Sequence, residues 1–336
     1  GEPVAQLRSE LVPGAMRFSR DGRLLAAKYD RRDRPGTVRT TVWDVDAGTP
    51  LVELDEVIGY DAFDLDPEGR RVAAVTMGGE LLVHDLERGV EQLRVDLGAR
   101  AGSLRFRPDG AALAIGVGGD LRVLQVRALP GGELLASRKV EGSPFMVDWS
   151  ADGTQVALAC GDYRGYLWEP SEDRLRTTFE GHSAEVVRIH LSPSLPLAVT
   201  YSWDETTRLW DTETGEELVQ LSAPPIRIAA DGRRLAGQTN EVLDIWRLEH
   251  GGVLEGLRGH SGKSPRHVAI SPDRRLLVSG GVDGALLWEV ETSRLARVLD
   301  TGRVEGLAFL PGDDGLLLAG SAGLRHRLLP DLDRST

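Results

Sequence analysis

Short apolar runs separated by polar turns fill this chain, and hydrophobic and polar positions alternate within the units with a period of two. That alternation is the mark of half-buried strands. Runs such as LLAAKY at 24–29, ALAIGV at 112–117 and LLVSGG at 276–281 are too short for helices and are bounded by turn residues. No sustained i, i+3, i+4 stripe and no capping box opens a helix anywhere. The chain therefore reads as all-β.

The same unit then recurs. An apolar residue followed by a polar turn begins it: Phe18-SRDG, Leu65-DPEG, Phe106-RPDG, Trp149-SADG, Leu191-SPSL, Ile228-AADG, Ile270-SPDR and Phe309-LPGDDG. The spacing averages about 42 residues, the period of a four-stranded propeller blade. An apolar run follows each turn. A second run often ends in Trp plus an acid, as in TVWD, YLWE, RLWD and LLWE. Eight units are expected in a single domain over 1–336, at about 16–54, 63–95, 104–140, 147–179, 189–221, 226–257, 268–299 and 307–329. The start, Gly1-EPVAQL, matches Gly48-TPLVEL, an outermost strand, and the last unit lacks one. Residues 3–8 are therefore expected to complete the last blade and close the ring, which leaves no open sheet edge.

These features resemble the WD-repeat (WD40) family of β-propellers, and the resemblance covers the whole chain. Its best-matched unit is EGHSAEVVRIHLSPSLPLAVTYSWDETTRLWD, with Gly181-His182, Asp204 and Trp210-Asp211. The family's structural hydrogen-bond tetrad maps onto His182, Thr200, Asp204 and Trp210. A second maps onto His260, Ser279, Asp283 and Trp288. The second unit has His84-Asp85 in place of Trp-Asp and the third has Gln125-Val126, so not every blade is expected to carry a tetrad. The resemblance implies a non-catalytic scaffold or sensor that binds a protein or peptide, monomeric and cytoplasmic. The start at Gly1 without a Met leads to the expectation of a domain excised from a larger protein, and analogy with bacterial members of the family makes that a bacterial signalling protein. The rival class is a propeller enzyme or small-molecule binder that uses the central channel.

Composition narrows the partner. The formal charge of −12 disfavours nucleic acid, whose binding relies on clustered Lys and Arg. No run approaches the ~20 apolar residues of a membrane helix. Only Lys28, Lys139 and Lys263 are lysines, which suggests the codon bias of a GC-rich genome. The lone Cys160 excludes an internal disulfide and falls in an apolar strand, where it reads as a small core residue.

Catalytic constellations fail on spacing. GHSGKS at 259–264 lacks the earlier glycine of a nucleotide loop and precedes a strand rather than a helix. There is no G-x-S-x-G elbow, no H-E-x-x-H pair and no zinc spacing among the histidines. No catalytic residue, cofactor or metal ligand is expected.

Two features are left over. One is the charged loop YDRRDRPGTVRT in the first unit, a solvated insertion or a second contact arm. The other is Trp203 in YSWDETTRLWD. Trp43, Trp168, Trp210, Trp246 and Trp288 occupy the strand-end position and Trp149 an inner-strand anchor; Trp203 has no scaffold place. In the WD-repeat arrangement its turn shares a face with Phe145, Tyr163 and Arg164 of the preceding unit, with Glu185 and Glu205 at the rim. Aromatics and Arg bordered by polar groups have the composition of an interface hot spot.

Overall fold

A computed structural model describes residues 13–19, 21–30, 38–55, 62–221, 227–228, 234–239, 242–247, 254–257, 267–271, 273, 275–290, 294–299, 302–310, 315–320 and 323–328. The described strands are assigned to eight sheets, each an antiparallel meander in chain order, seven of four strands and one of three. The three-stranded sheet is the eighth, Val304–Phe309, Gly315–Gly320 and Gly323–Leu328. Residues 3–8, expected to supply its outer strand, lie outside the described residues, as does the charged stretch at 31–37. The architecture is an all-β propeller.

The chain divides into two compact units, each described by itself. One comprises residues 1–36, 41–51 and 227–336, and the other 37–40 and 52–226. In the second unit the sheets pack face against face in sequence order. The second sheet (Phe63–Leu65, Arg71–Val75, Glu80–Asp85, Val90–Asp96) and the third (Ala101–Phe106, Ala112–Val117, Val123–Ala128, Leu134–Lys139) bury Val75, Leu81 and Val83 with Leu104, Leu113 and Ile115. The fourth sheet (Pro144–Trp149, Val156–Cys160, Gly165–Glu169, Arg174–Phe179) adds Trp149 and Trp168 against Leu124 and Val126. The fifth (Val186–Leu191, Leu197–Ser202, Thr207–Asp211, Glu217–Leu221) closes over Phe179 and Met146 with Ile189 and Trp210. In the other unit, Leu25, Ala27 and Trp43 of the first sheet pack against Leu317 and Ala319 of the eighth.

The strand gradient follows from this packing. Second strands packed on both faces read as continuous apolar runs: 112–117 and 156–160 are buried throughout. The outermost strand is half in water and alternates, as at 90–96 and 134–139. Several described polar turns cap their own hairpins. Ser150 Oγ donates to Asp152 Oδ1 at 2.6 Å and accepts from Gln155 N at 2.9 Å, and Ser271 repeats the pattern with Asp273 and Leu276. In the second sheet a buried Asp66 takes the serine's place, and Arg71 spans from it to the Gly110 carbonyl of the third sheet at 2.7 Å.

Candidate functional site

The fifth sheet orders its upper edge through a buried polar chain. Trp210 Nε1–H, which can only donate, gives its proton to Thr200 Oγ1 at 2.8 Å. The Thr200 hydroxyl is then free to donate to His182 Nε2, 2.7 Å away. That leaves the ring proton on Nδ1, which donates to Asp204 Oδ2 at 2.9 Å. Asp204 also accepts from Ser183 N at 2.9 Å, from Thr206 N at 2.9 Å and from the Thr206 hydroxyl at 2.7 Å. All four expected residues of the first tetrad thus meet.

Electrostatics agree with a neutral imidazole. Burial pushes the His182 pKa down, and the Asp204 contact opposes that only in part. Burial alone would raise Asp204, but the hydrogen bonds from Thr206, Ser183 and His182 together hold its carboxyl well below the usual carboxylate range.

The other strand-end tryptophans fare differently. Trp288 Nε1 donates to Ser279 Oγ at 2.9 Å, half of the expected second tetrad. Asp283 lies in an exposed turn, and His260 lies outside the described residues. Trp168 Nε1 finds Asp173 Oδ1 at 3.0 Å instead of a strand hydroxyl. Trp43 Nε1 has no hydrogen-bond partner among the described residues, and neither does His84 Nδ1, which stands where the second unit would carry its Trp. Cys160 is fully buried, and loss of solvent pushes its thiol up to about 11, so the thiolate that would act as nucleophile is suppressed. Among the described residues no group of three or more His, Cys, Asp or Glu side chains could hold a metal ion. No described helix is long and apolar enough to cross a membrane.

Above the tetrad, Trp203 is 59% exposed, although its backbone is fixed: its N–H donates to the Glu185 carbonyl at 3.0 Å. Asp204, the next residue, is locked in the tetrad, and Glu205 adopts a left-handed φ of 64° that completes the turn. Phe145 of the fourth sheet meets the indole edge-on, with ring centroids 5.5 Å apart and planes at 60°. The Phe145 ring lies 3.2 Å from where a Cβ on Gly161 would sit, so that glycine gives the ring its space. Gly161 N–H also bonds the Ser143 carbonyl at 2.9 Å, tying the 161–164 turn to the loop before Phe145. Tyr163, at the tip of that turn, is 47% exposed with φ 73°. Arg164 pairs with Glu180 at 2.9 Å; Glu185 is half-buried and Glu205 exposed. Trp203 and Phe145 thus touch across two neighbouring sheets, while Tyr163 and Arg164 lie on the 161–164 turn that is tied to the loop before Phe145.

A signal on the inner strands was missed. The residue between the two apolar anchors is Asp64, Arg105, Asp148 and His190 in four successive sheets, all half-buried. Asp64 Oδ2 accepts from Phe106 N at 3.0 Å, and Asp148 Oδ2 from Leu191 N at 3.0 Å. Each carboxylate thus reaches the next sheet, and Asp148 also stands 3.7 Å from His190 Nδ1. Treating the inner strands as apolar anchors hid these links. Aligning the middle position of MRF, FDL, LRF, VDW and IHL would have exposed them.

The family model "WD domain, G-beta repeat" matches residues 173–211 and 251–287. The first match contains the tetrad just described. Those two segments match the WD40 repeat.

Relatives agree with that assignment. The chain is 29% identical to Protein Rae1 of Drosophila melanogaster over 42% of each. It is 26% identical to COMPASS component SWD3 of Saccharomyces cerevisiae over 65% of this chain and 76% of that one. WD repeat-containing protein VIP3 of Arabidopsis thaliana is 28% identical over 46% of this chain and 55% of its own. The match thus spans about half the length of the fly and plant proteins. These relatives are eukaryotic and lend no support to the expected bacterial origin or to excision from a larger protein. In fold, the crystal structure of the computationally designed Ika8 protein superposes with a TM-score of 0.78 at 19% identity, covering 98% of this chain and all of that one.

Proposed function

We propose that this WD40-repeat chain is a non-catalytic, cytoplasmic scaffold whose protein- or peptide-binding patch is centred on Trp203. Phe145, Tyr163, Arg164, Glu185 and Glu205 make up the rest of it. The observation that carries the reading is a large aromatic left in water on a backbone that is rigidly held. A solvent-exposed indole contributes nothing to the core, whereas pre-ordered aromatics bind without a large entropic cost. WD-repeat relatives, one of them named as a component of an assembly, support the protein-partner class.

The test begins with a random peptide library selected on the wild-type protein and recounted on Trp203→Ala. Enriched peptides are expected to lose about 2 kcal/mol or more on the variant, roughly 30-fold in affinity. Peptides that bind both proteins equally would move the interface elsewhere, first to the Arg-rich loop of the first unit.

The propeller is further proposed to be monomeric and to close as eight blades through residues 3–8. The assignment of the described strands to eight sheets in sequence order supports this. Deleting residues 1–10 then exposes a sheet edge, so a large fall in melting temperature or aggregation is expected. An unchanged melting curve would refute the closure.

A further inference from the structure

The turns around Trp203 carry a charge pattern that the repeat does not require. Four segments adjoin there: 140–145 and 161–165 of the fourth unit, and 180–186 and 202–206 of the fifth. Their contacts are the Gly161–Ser143 and Trp203–Glu185 backbone bonds and the Phe145–Trp203 ring pair. Outside the tetrad these segments contain Glu141, Asp162, Glu180, Glu185 and Glu205, against the single base Arg164. The Arg164 guanidinium is already ion-paired with Glu180. Three further arginines stand at the margins, one of them Arg208, which lies against Gly181 and is ion-paired with Glu217 at 2.6 Å. Arg122 of the third sheet donates to the Glu141 carbonyl at 2.9 Å, and Arg188 lies on the inner strand of the fifth. His182 is buried and neutral, so it adds no positive charge.

Glu205 shows that this field is felt locally. The Tyr201 hydroxyl is pushed up first by burial and then by the Glu205 charge, with Arg188 opposing. An exposed indole with an edge-on phenyl beside it, in a field of surplus carboxylates, is a receptor for positive charge. The face of a Trp attracts a guanidinium or ammonium within about 6 Å of the ring, and nearby acids add to that attraction. An acidic partner would meet like charge, and a purely apolar one would leave the carboxylates desolvated without a counterion.

We infer that the Trp203 patch takes a basic protein segment, seating an Arg or Lys side chain against the indole, with Glu185 and Glu205 supplying counter-charge. This rests on the reading of Trp203 as the binding anchor. It goes further by fixing the chemistry of the partner.

The experiment uses a fluorescently labelled, amidated peptide of alternating Gly and Arg, with matched peptides carrying Glu or the neutral isostere citrulline in place of Arg. Fluorescence anisotropy with the full chain is expected to show saturable binding of the Arg peptide only, weakening as added salt shortens the Debye length. Trp203→Ala and the double variant Glu185→Gln/Glu205→Gln are each expected to weaken it at least tenfold with unchanged melting curves. Equal binding of the citrulline peptide, or full affinity in the Gln double variant, would overturn the cationic assignment. If library-selected peptides still required Trp203 in that case, the patch itself would stand and only its partner chemistry would fall. If neither peptide class depended on Trp203, both readings would fail together.

Discussion

His182 and Trp203 are 21 positions apart and nearly adjoin in space, yet they answer to opposite demands. The histidine is buried with every ring nitrogen bonded, so its removal strands Thr200 and Asp204. His182→Ala is expected to cost about 1–3 kcal/mol of stability, since a buried partner left unsatisfied bears its full desolvation penalty. A pH dependence follows from the same site. The folded-state pKa of His182 is depressed, so the unfolded chain binds the proton more readily. The stability it confers is complete above the unfolded value of about 6.5 and is lost as pH falls below it. Asp204, also depressed, contributes stability that is present above the unfolded carboxylate value, about 3.9, and lost as pH falls towards its folded one. The melting temperature of the wild type should therefore fall from neutral pH towards pH 5 more steeply than that of His182→Gln, which cannot take up the proton. Parallel pH profiles for the two proteins would contradict the neutral, buried imidazole.

At the scale of elements, the sheets are joined by more than apolar faces. Asp148 leans from the inner strand of the fourth sheet to hold the Leu191 amide of the fifth, and Asp64 does the same for Phe106 of the third. Asp148→Ala is expected to cost about 1 kcal/mol, because the site is partly open and water recovers some of the bond. Hydrogen exchange at the Leu191 amide should speed up with it; unchanged exchange there would show that the carboxylate does not hold the strand. The strands themselves were readable from the sequence because turn residues and period-two alternation are local signals. The buried runs at 112–117 and 156–160 were equally plain, since burial on both faces demands unbroken apolar residues. The charged middle position of the inner strands was not, because its meaning depends on a neighbour about 42 residues away. The site was half legible for the same reason. Trp203 stood out because the repeat left it no role, whereas its contact with Phe145 needed two sheets to be packed. The split among the tryptophans was hidden too: Trp168 and Trp43 share a motif position with Trp210 but not its partners.

On the scale of the whole molecule, the repeat accounts for the fold, and the departures from it carry the proposed binding. Scaffold residues recur and are buried; the binding proposal rests on residues that occur once and are wholly or partly exposed. That division predicts that stability and binding respond to different substitutions a few ångströms apart. The decisive measurement is a side-by-side comparison of His182→Ala and Trp203→Ala, each assayed for melting temperature and, well below that temperature, for affinity toward a library-selected peptide. Trp203→Ala should melt as the wild type does and bind about 30-fold more weakly, the equivalent of about 2 kcal/mol. His182→Ala should melt lower yet bind normally while folded. A Trp203→Ala protein that loses stability but keeps its affinity would contradict the account.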